Sequence, residues 1–325
     1  MLRVFDRSGR EIVTLPEDPV SGWAEAAWFD LQSPTPEEEA RVEAAIGAGL
    51  PTRDELRDIE PSSRLYTENG ALYLTASLVC KSDTASPSLA DVGFIVAGDK
   101  LVTVRYAEPR AFAIFTASLG RTHDCAGGAD ILSRLLETIV DRTAEILEHA
   151  SRTTDEVTLR VFHTEVAERR PDRATRDLEA TLSRIALLQR LVAKARESLM
   201  SLSRVSAYLN DQPAFRDDKA IRERVRSVAR DVQSLSQHAD FIAGNIIFLL
   251  DASLGLITVQ QNTVMKIFSI AAVVLLPPTL IGSIYGMNFE HMPELATRWG
   301  YPAALVAMLL TAVLPFVWFR KKGWL

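Results

Sequence analysis

The chain has 325 residues, 47% of them apolar and 24% charged, with a net charge of −6. That length holds one large folded domain and something more. The acidic balance, with no long Lys/Arg run in the charged part, argues against a nucleic-acid binder. The averages hide a segregation: charges are spread from Met1 to about Gln261, then nearly vanish from Ile267 to Phe319 except in one short loop.

The first fifteen residues carry Arg3, Asp6, Arg7, Arg10 and Glu11. No signal-peptide core fits there, so the large domain is expected to stay in the cytoplasm. Up to about Arg110 short strand-like and helix-like pieces alternate. Glu37 to Ile46 predicts a helix, preceded by Pro34-Thr35-Pro36, with Glu37, Glu38 and Glu39 suiting its N-terminal dipole. Ala71 to Val79 predicts a strand after an Asn69-Gly70 turn, and Val92 to Ala97 with Leu101 to Tyr106 predicts a hairpin about Gly98-Asp99-Lys100. The pattern is an α/β region with a partly antiparallel sheet. Cys80 and Cys125 show no CxxC spacing and are expected to be reduced thiols.

From Asp130 onward the period becomes helical. Ile131, Leu135, Leu136, Ile139, Thr143, Ile146 and Leu147 form one stripe, and Leu178, Leu182, Ile185, Leu188, Leu191 and Val192 another. A break at Asn210-Asp211-Gln212-Pro213 precedes a stretch with no proline until Pro277. There Ile221, Val225, Val228, Val232, Leu235, Ala239 and Ile242 keep helical spacing, which predicts one very long helix of roughly 100 Å. The adjacent Asp217 and Asp218 read as part of its solvated face.

The helix runs on into Ile267 to Tyr285, about 19 residues without a charge and roughly 28 Å long. Tyr301 to Phe319 is a second uncharged run. A pair of buried core helices is the plain alternative, but two such runs side by side, without one polar face, favour membrane spans. Lys266 flanks the first, while Arg320, Lys321 and Lys322 follow the second. The positive-inside rule places both outer flanks, and hence both termini, in the cytoplasm. Two helices cannot enclose a hydrophilic path, so a conducting protein would have to oligomerise; a membrane-anchored soluble domain is the alternative.

The connecting loop reads Tyr285-Gly286-Met287-Asn288, then Phe289-Glu290-His291-Met292-Pro293-Glu294-Leu295. Pro277-Pro278-Thr279-Leu280-Ile281 precedes it and Lys321-Lys322-Gly323-Trp324-Leu325 closes the chain. Together these residues resemble the CorA family of magnesium transporters, whose hallmark is YGMN followed by an MPEL-like loop. The likeness is nearly continuous from Gln261 to Leu325. It extends more loosely to Trp28-Phe29-Asp30-Leu31, Leu50-Pro51-Thr52-Arg53-Asp54-Glu55-Leu56 and Ser63-Arg64-Leu65-Tyr66. Met287 with the MPEL segment is closer to the magnesium/cobalt branch than to the zinc branch, which tends to carry GVN-type loops.

The resemblance implies a funnel-shaped homopentamer in the inner membrane: a cytoplasmic α/β domain with a helical stalk over 1–261 and a transmembrane region over 262–325. Within the latter, the first span is 266–285, the GMN loop 286–300, the second span 301–319 and the basic tail 320–325. Divalent cations, chiefly Mg2+ with Co2+ and Ni2+ as further cargo, would be the partners besides lipid and the chain's own copies, with no organic cofactor and no nucleic acid. The expected activity is transport, not enzymatic catalysis. A zinc or broad divalent transporter on the same scaffold is the near alternative.

Asn262, Met265, Ser269, Ala272, Leu276, Thr279 and Ser283 step by three and four along the first span. Such a stripe of small and weakly polar residues serves helix packing or pore lining equally well. The resemblance implies a pore, because Asn262, Met265, Leu276, Thr279 and Asn288 match family pore positions. Gly286, Met287 and Asn288 would form the filter, with Gly286 taking backbone angles other residues resist. Asn288 is also a good helix C-cap. Glu290 and Glu294 would concentrate cations at the outer mouth or be plain loop charges. Asp251 matches a family position that senses cytoplasmic Mg2+, with Asp54, Glu55, Asp58 and Asp91 as possible partners. His123, His149, His163, His238 and His291 show no zinc-ligand pairing, and no GxxxxGK[ST] stretch occurs.

Overall fold

A computed structural model describes residues 1–324 apart from 14–17, 59, 120–124, 164–170, 289–291 and 294–296. The chain divides into two compact units, Met1–Leu250 and Asp251–Leu325.

The first unit begins with β1 (Leu2–Asp6), α1 (Pro19–Gly22), β2 (Ala26–Gln32) and α2 (Pro36–Ile46). A 3₁₀ turn (Glu55–Arg57), α3 (Pro61–Arg64), β3 (Leu65–Glu68), β4 (Ala71–Cys80), β5 (Ser88–Ala97) and β6 (Lys100–Arg105) follow. The described strands form a six-stranded sheet in the order β1-β2-β6-β5-β4-β3. β2 and β6 are parallel and the other neighbours antiparallel. Asn69 and Gly70, with φ of 49° and 80°, turn β3 into β4. That pair of left-handed residues matches the twist of a tight hairpin. α2 starts on a capping box between Thr35 and Glu38 and stops at left-handed Gly47.

Both faces of the sheet are covered, which explains the nearly unbroken apolar runs of its strands. Trp28, Leu72, Leu74 and Phe94 point into one core, and Phe29, Tyr73, Ile95 and Val102 into the other. The larger core is closed by α4 (Arg110–Leu119), α5 (Gly128–His163), α6 (Pro171–Asp211), the turn α7 (Pro213–Arg216) and the first part of α8 (Lys219–Tyr285). Every member of the stripe Ile131 to Leu147 is buried, as are Ile221, Val225, Val228, Val232, Ala239 and Ile242 on α8. Burial pushes the Cys80 thiol up to about 11, which keeps it protonated at neutral pH.

Two local expectations change. The long helix starts at Lys219, because Pro213–Arg216 folds as a separate turn that buries Phe215. Asp218 is therefore not on the helix face: its carboxylate accepts hydrogen bonds from the Ala220 and Ile221 amides at 2.7 and 3.1 Å. It caps the helix where the first amides lack partners.

The second unit comprises the remainder of α8, which continues without interruption to Tyr285, and α9 (Gly300–Lys321). Each helix contains an 18-residue apolar window of which only 6% is buried. A core helix of a soluble domain would hide such a surface, so these two need lipid or other copies of the chain to cover it.

Candidate functional site

α8 remains helical through Pro277 and Pro278. A proline has no amide hydrogen, so the Val273 and Val274 carbonyls lose their helical donors in the middle of the apolar stretch. Such freed groups are tolerated at membrane depth where protein or water re-satisfies them. Nearby hydroxyls are spent on the backbone. Ser269 Oγ donates to the Met265 carbonyl at 2.9 Å, and Thr279 donates to the Leu275 carbonyl. Each hydroxyl thus offers only oxygen lone pairs outward, which suits the water shell of a cation.

One side of α8 is turned toward α9. Ile270 is buried, and Val274, Pro277, Pro278, Ile281 and Tyr285 are half-buried along the same side. A Cβ added at Gly282 would lie 3.4 Å from the Met308 methyl of α9. Asn262, Met265, Ala272, Leu276, Thr279 and Ser283 are all exposed. At about 100° per residue they fall roughly opposite the face that meets α9. Intrachain packing therefore does not use this stripe. Gly282 faces α9, where a Cβ would make only an ordinary contact, and its place there carries no signal in the sequence.

Gly286 and Met287 close the end of α8 with amide hydrogen bonds to the Gly282 and Ile284 carbonyls at 3.0 and 3.2 Å. Gly286 is not left-handed, contrary to the expected special backbone angle. Its constraint is room: a Cβ would stand 3.2 Å from the Gly282 oxygen. Asn288 follows, exposed and beyond the helix. Glu290, Glu294 and His291 lie outside the described residues.

Asp251 is exposed on α8. The four carboxylates considered as its partners differ in availability. Asp91 accepts from Arg64 and from the Ser77 hydroxyl at 2.6 Å, so it is already neutralised within the sheet. Glu55 binds the Thr52 amide and hydroxyl at 2.7 and 2.9 Å, and Asp58 accepts weakly from the Glu60 amide at 3.4 Å. Asp54 is exposed. Among the described residues, no three His, Cys, Asp or Glu side chains converge as a metal site.

The CorA-like Mg2+ transporter protein family model matches residues 23–321. The magnesium transport protein CorA of Haemophilus ducreyi is 31% identical over 326 residues, with both chains covered completely. Its Escherichia coli K12 counterpart is 30% identical with the same coverage. Among solved structures, the complete CorA magnesium transporter from Methanocaldococcus jannaschii gives a TM-score of 0.75 at 18% identity, covering 100% of this chain and 99% of that one. Full-length CmaX gives 0.70, also at 18% identity, covering 99% and 97%. The α/β domain, the long helix and the second apolar helix fit these folds. The two exposed apolar helices and the CorA relatives identify a membrane protein, and the chain belongs to the CorA-like Mg2+ transporter family.

Proposed function

We propose that this protein is a Mg2+ channel of the inner membrane, assembled as a homopentamer with both termini in the cytoplasm, and able to pass Co2+ and Ni2+ as well. The observation that carries the proposal is the exposed stripe of α8, polar or small at most positions and turned away from α9. Copies of the chain arranged around that stripe would line a path with Asn262, Met265, Ala272, Leu276, Thr279 and Ser283, leaving α9 toward lipid.

Magnesium loses its water reluctantly and demands near-ideal octahedral geometry. A ring of Asn288 amide oxygens accepts hydrogen bonds from the intact water shell and carries no charge to trap the ion. Gly286 and Met287 set where that ring begins, and Glu290 and Glu294 would raise the cation concentration outside it. Further in, Met265 and Leu276 supply apolar constrictions that gate by excluding water. The inside-negative potential drives entry, worth roughly 4–5 kcal/mol per 100 mV for a dication. Asp251 would meet a carboxylate of a neighbouring copy, and a bound Mg2+ would relieve their repulsion and hold the closed state. Asp54, Glu55 and Asp58 are all exposed, and Asp54 is the candidate whose carboxylate is not spent on a hydrogen bond among the described residues, while Asp91 is occupied by Arg64.

Reconstitution in liposomes tests the reading. Mg2+ influx blocked by cobalt hexaammine, a mimic of the hydrated ion, is expected. Asn288→Ala should abolish influx while the oligomer still assembles. Zinc flux in preference to magnesium would move the protein to a zinc transporter, and no flux of any divalent ion would leave a membrane anchor.

A further inference from the structure

The end of α9 is a built feature whose parts are separately unremarkable in the sequence. Trp324 N donates to the Phe319 carbonyl at 3.1 Å and Gly323 N to the Arg320 carbonyl at 3.2 Å, with Gly323 left-handed at φ 71°. This paired bonding satisfies the last carbonyls and folds the tail back on the helix. Trp324 stacks on Phe319 at 5.4 Å, and Lys266 of α8 sits 6.0 Å from the Trp324 ring. Lys322 lies 4.7 Å over the Trp318 ring. An open groove beside it is lined by Leu314, Pro315, Val317, Trp318 and Lys321.

Lys321 thus lines the apolar groove, Lys322 and Lys266 stand beside the Trp318 and Trp324 rings, and Arg320 is their neighbour in the sequence. Their own unit contains three acidic residues, Asp251, Glu290 and Glu294. Asp251 stands fifteen positions from Lys266, roughly 22 Å along α8. The other two belong to the loop after the far end of α8. Among the described residues none of these four cations makes an ion pair, and the groove is too apolar for a free anion alone.

The geometry points to a binding site for one anionic phospholipid of the leaflet facing these cations, its acyl chain along Leu314, Val317 and Trp318 and its phosphate on Lys321 and Lys322. The inference rests on the membrane reading of α9. Charge complementarity selects an anionic headgroup, because basic residues at a span's end attract acidic lipid and the aromatic rings suit the interface. A zwitterionic lipid would fill the groove without answering the cations.

The test uses the full chain carrying Trp299→Phe, which leaves Trp318 and Trp324 as the tryptophans of the second unit. It is reconstituted in phosphatidylcholine vesicles with a minor fraction of phosphatidylglycerol brominated on its acyl chains, or of brominated phosphatidylcholine. At equal fraction, the brominated phosphatidylglycerol is expected to quench tryptophan fluorescence much more strongly. Lys321→Gln and Lys322→Gln should each reduce that preference roughly fivefold. Equal quenching by both lipids overturns the site, as does a preference that survives the double variant. Relief of quenching by millimolar inorganic phosphate would also overturn it, since the ligand would then be a free anion. Quenching by neither lipid would remove the membrane reading itself. Mg2+ flux that persists without any lipid preference would leave the channel standing and eliminate only this site.

Discussion

Arg224 of α8 places its Nη1 2.6 Å from Asp130 Oδ1, near the start of α5, and 2.8 Å from the Ser133 hydroxyl. Arg134 binds the same carboxylate at 3.1 Å. Burial alone would raise the Asp130 pKa, but the hydrogen bonds from Arg134, Arg224 and the Ala126 amide outweigh it and hold the group below its usual range. A lowered carboxylate contributes stability above its unfolded pKa and loses it as pH falls through the folded one. Asp130→Asn should therefore destabilise the protein by about 1–3 kcal/mol at neutral pH. The variant should also lose less stability than the parent below about pH 4. Thermal melts at several pH values in detergent would check both. A parallel loss in the two proteins across the acid range would mean that Asp130 is not one of the titrating groups.

The Asp30–Arg105 pair is more deeply buried, at 1% and 5% exposure, and doubly bonded at 2.9 and 2.8 Å. Thr103 donates its hydroxyl to Asp30 at 2.9 Å and accepts from Trp28 Nε1 at 3.0 Å. Asp30→Ala leaves a guanidinium buried without its anion, which costs about 3–5 kcal/mol. Adding Arg105→Met should recover much of that loss. A denaturant-based double-mutant cycle reads the coupling directly, and additive effects would show that the pair is not a unit.

This pair also shows where the sequence stops being readable. The helical stripes of α5, α6 and α8 were legible because each is local and periodic, and burial follows the period from Ile131 to Leu147 and from Ile221 to Ile242. Asp30 and Arg105 are joined only by the parallel register of β2 and β6, which sets Asp30 opposite Thr103. No local spacing encodes that. Asp218 escapes the periodic pattern for a different reason: the start of α8 depends on Phe215 being buried, a tertiary fact. In the candidate site, the stripe of α8 is visible by period, whereas its freedom from α9 depends on which side of the helix α9 packs against, a tertiary fact.

Gly128 tests close approach. A Cβ there would collide with the Lys100 carbonyl carbon and stand 2.6 Å from the Leu101 nitrogen, both backbone atoms that cannot rotate away. Gly128 N also donates to the Asp99 carbonyl at 2.6 Å, joining the start of α5 to the β5–β6 turn. Gly128→Ala should cost at least about 3 kcal/mol, the upper end for overpacking. Gly47→Ala has open space around it, so only the left-handed φ of 69° counts against it. It should cost about 1 kcal/mol. Comparable midpoints for the two variants in a chemical melt would contradict the steric account.

The proposed constriction and sensor are separable by what each controls. Leu276 is 66% exposed on the stripe, and apolar rings close a pore by making a water column costly. Leu276→Ser should raise leak current at high internal Mg2+, when the channel is closed. Asp251 is exposed on α8, and its proposed contribution is the charge that a regulatory Mg2+ neutralises. Asp251→Asn removes that repulsion along with the ligand, so internal Mg2+ should lose most of its effect on gating while the leak stays small. Recordings across a range of internal Mg2+ separate the two changes. An Asp251→Asn channel with unchanged Mg2+ dependence would remove this residue from gating, and an unaltered leak in Leu276→Ser would place the closed constriction elsewhere on the stripe.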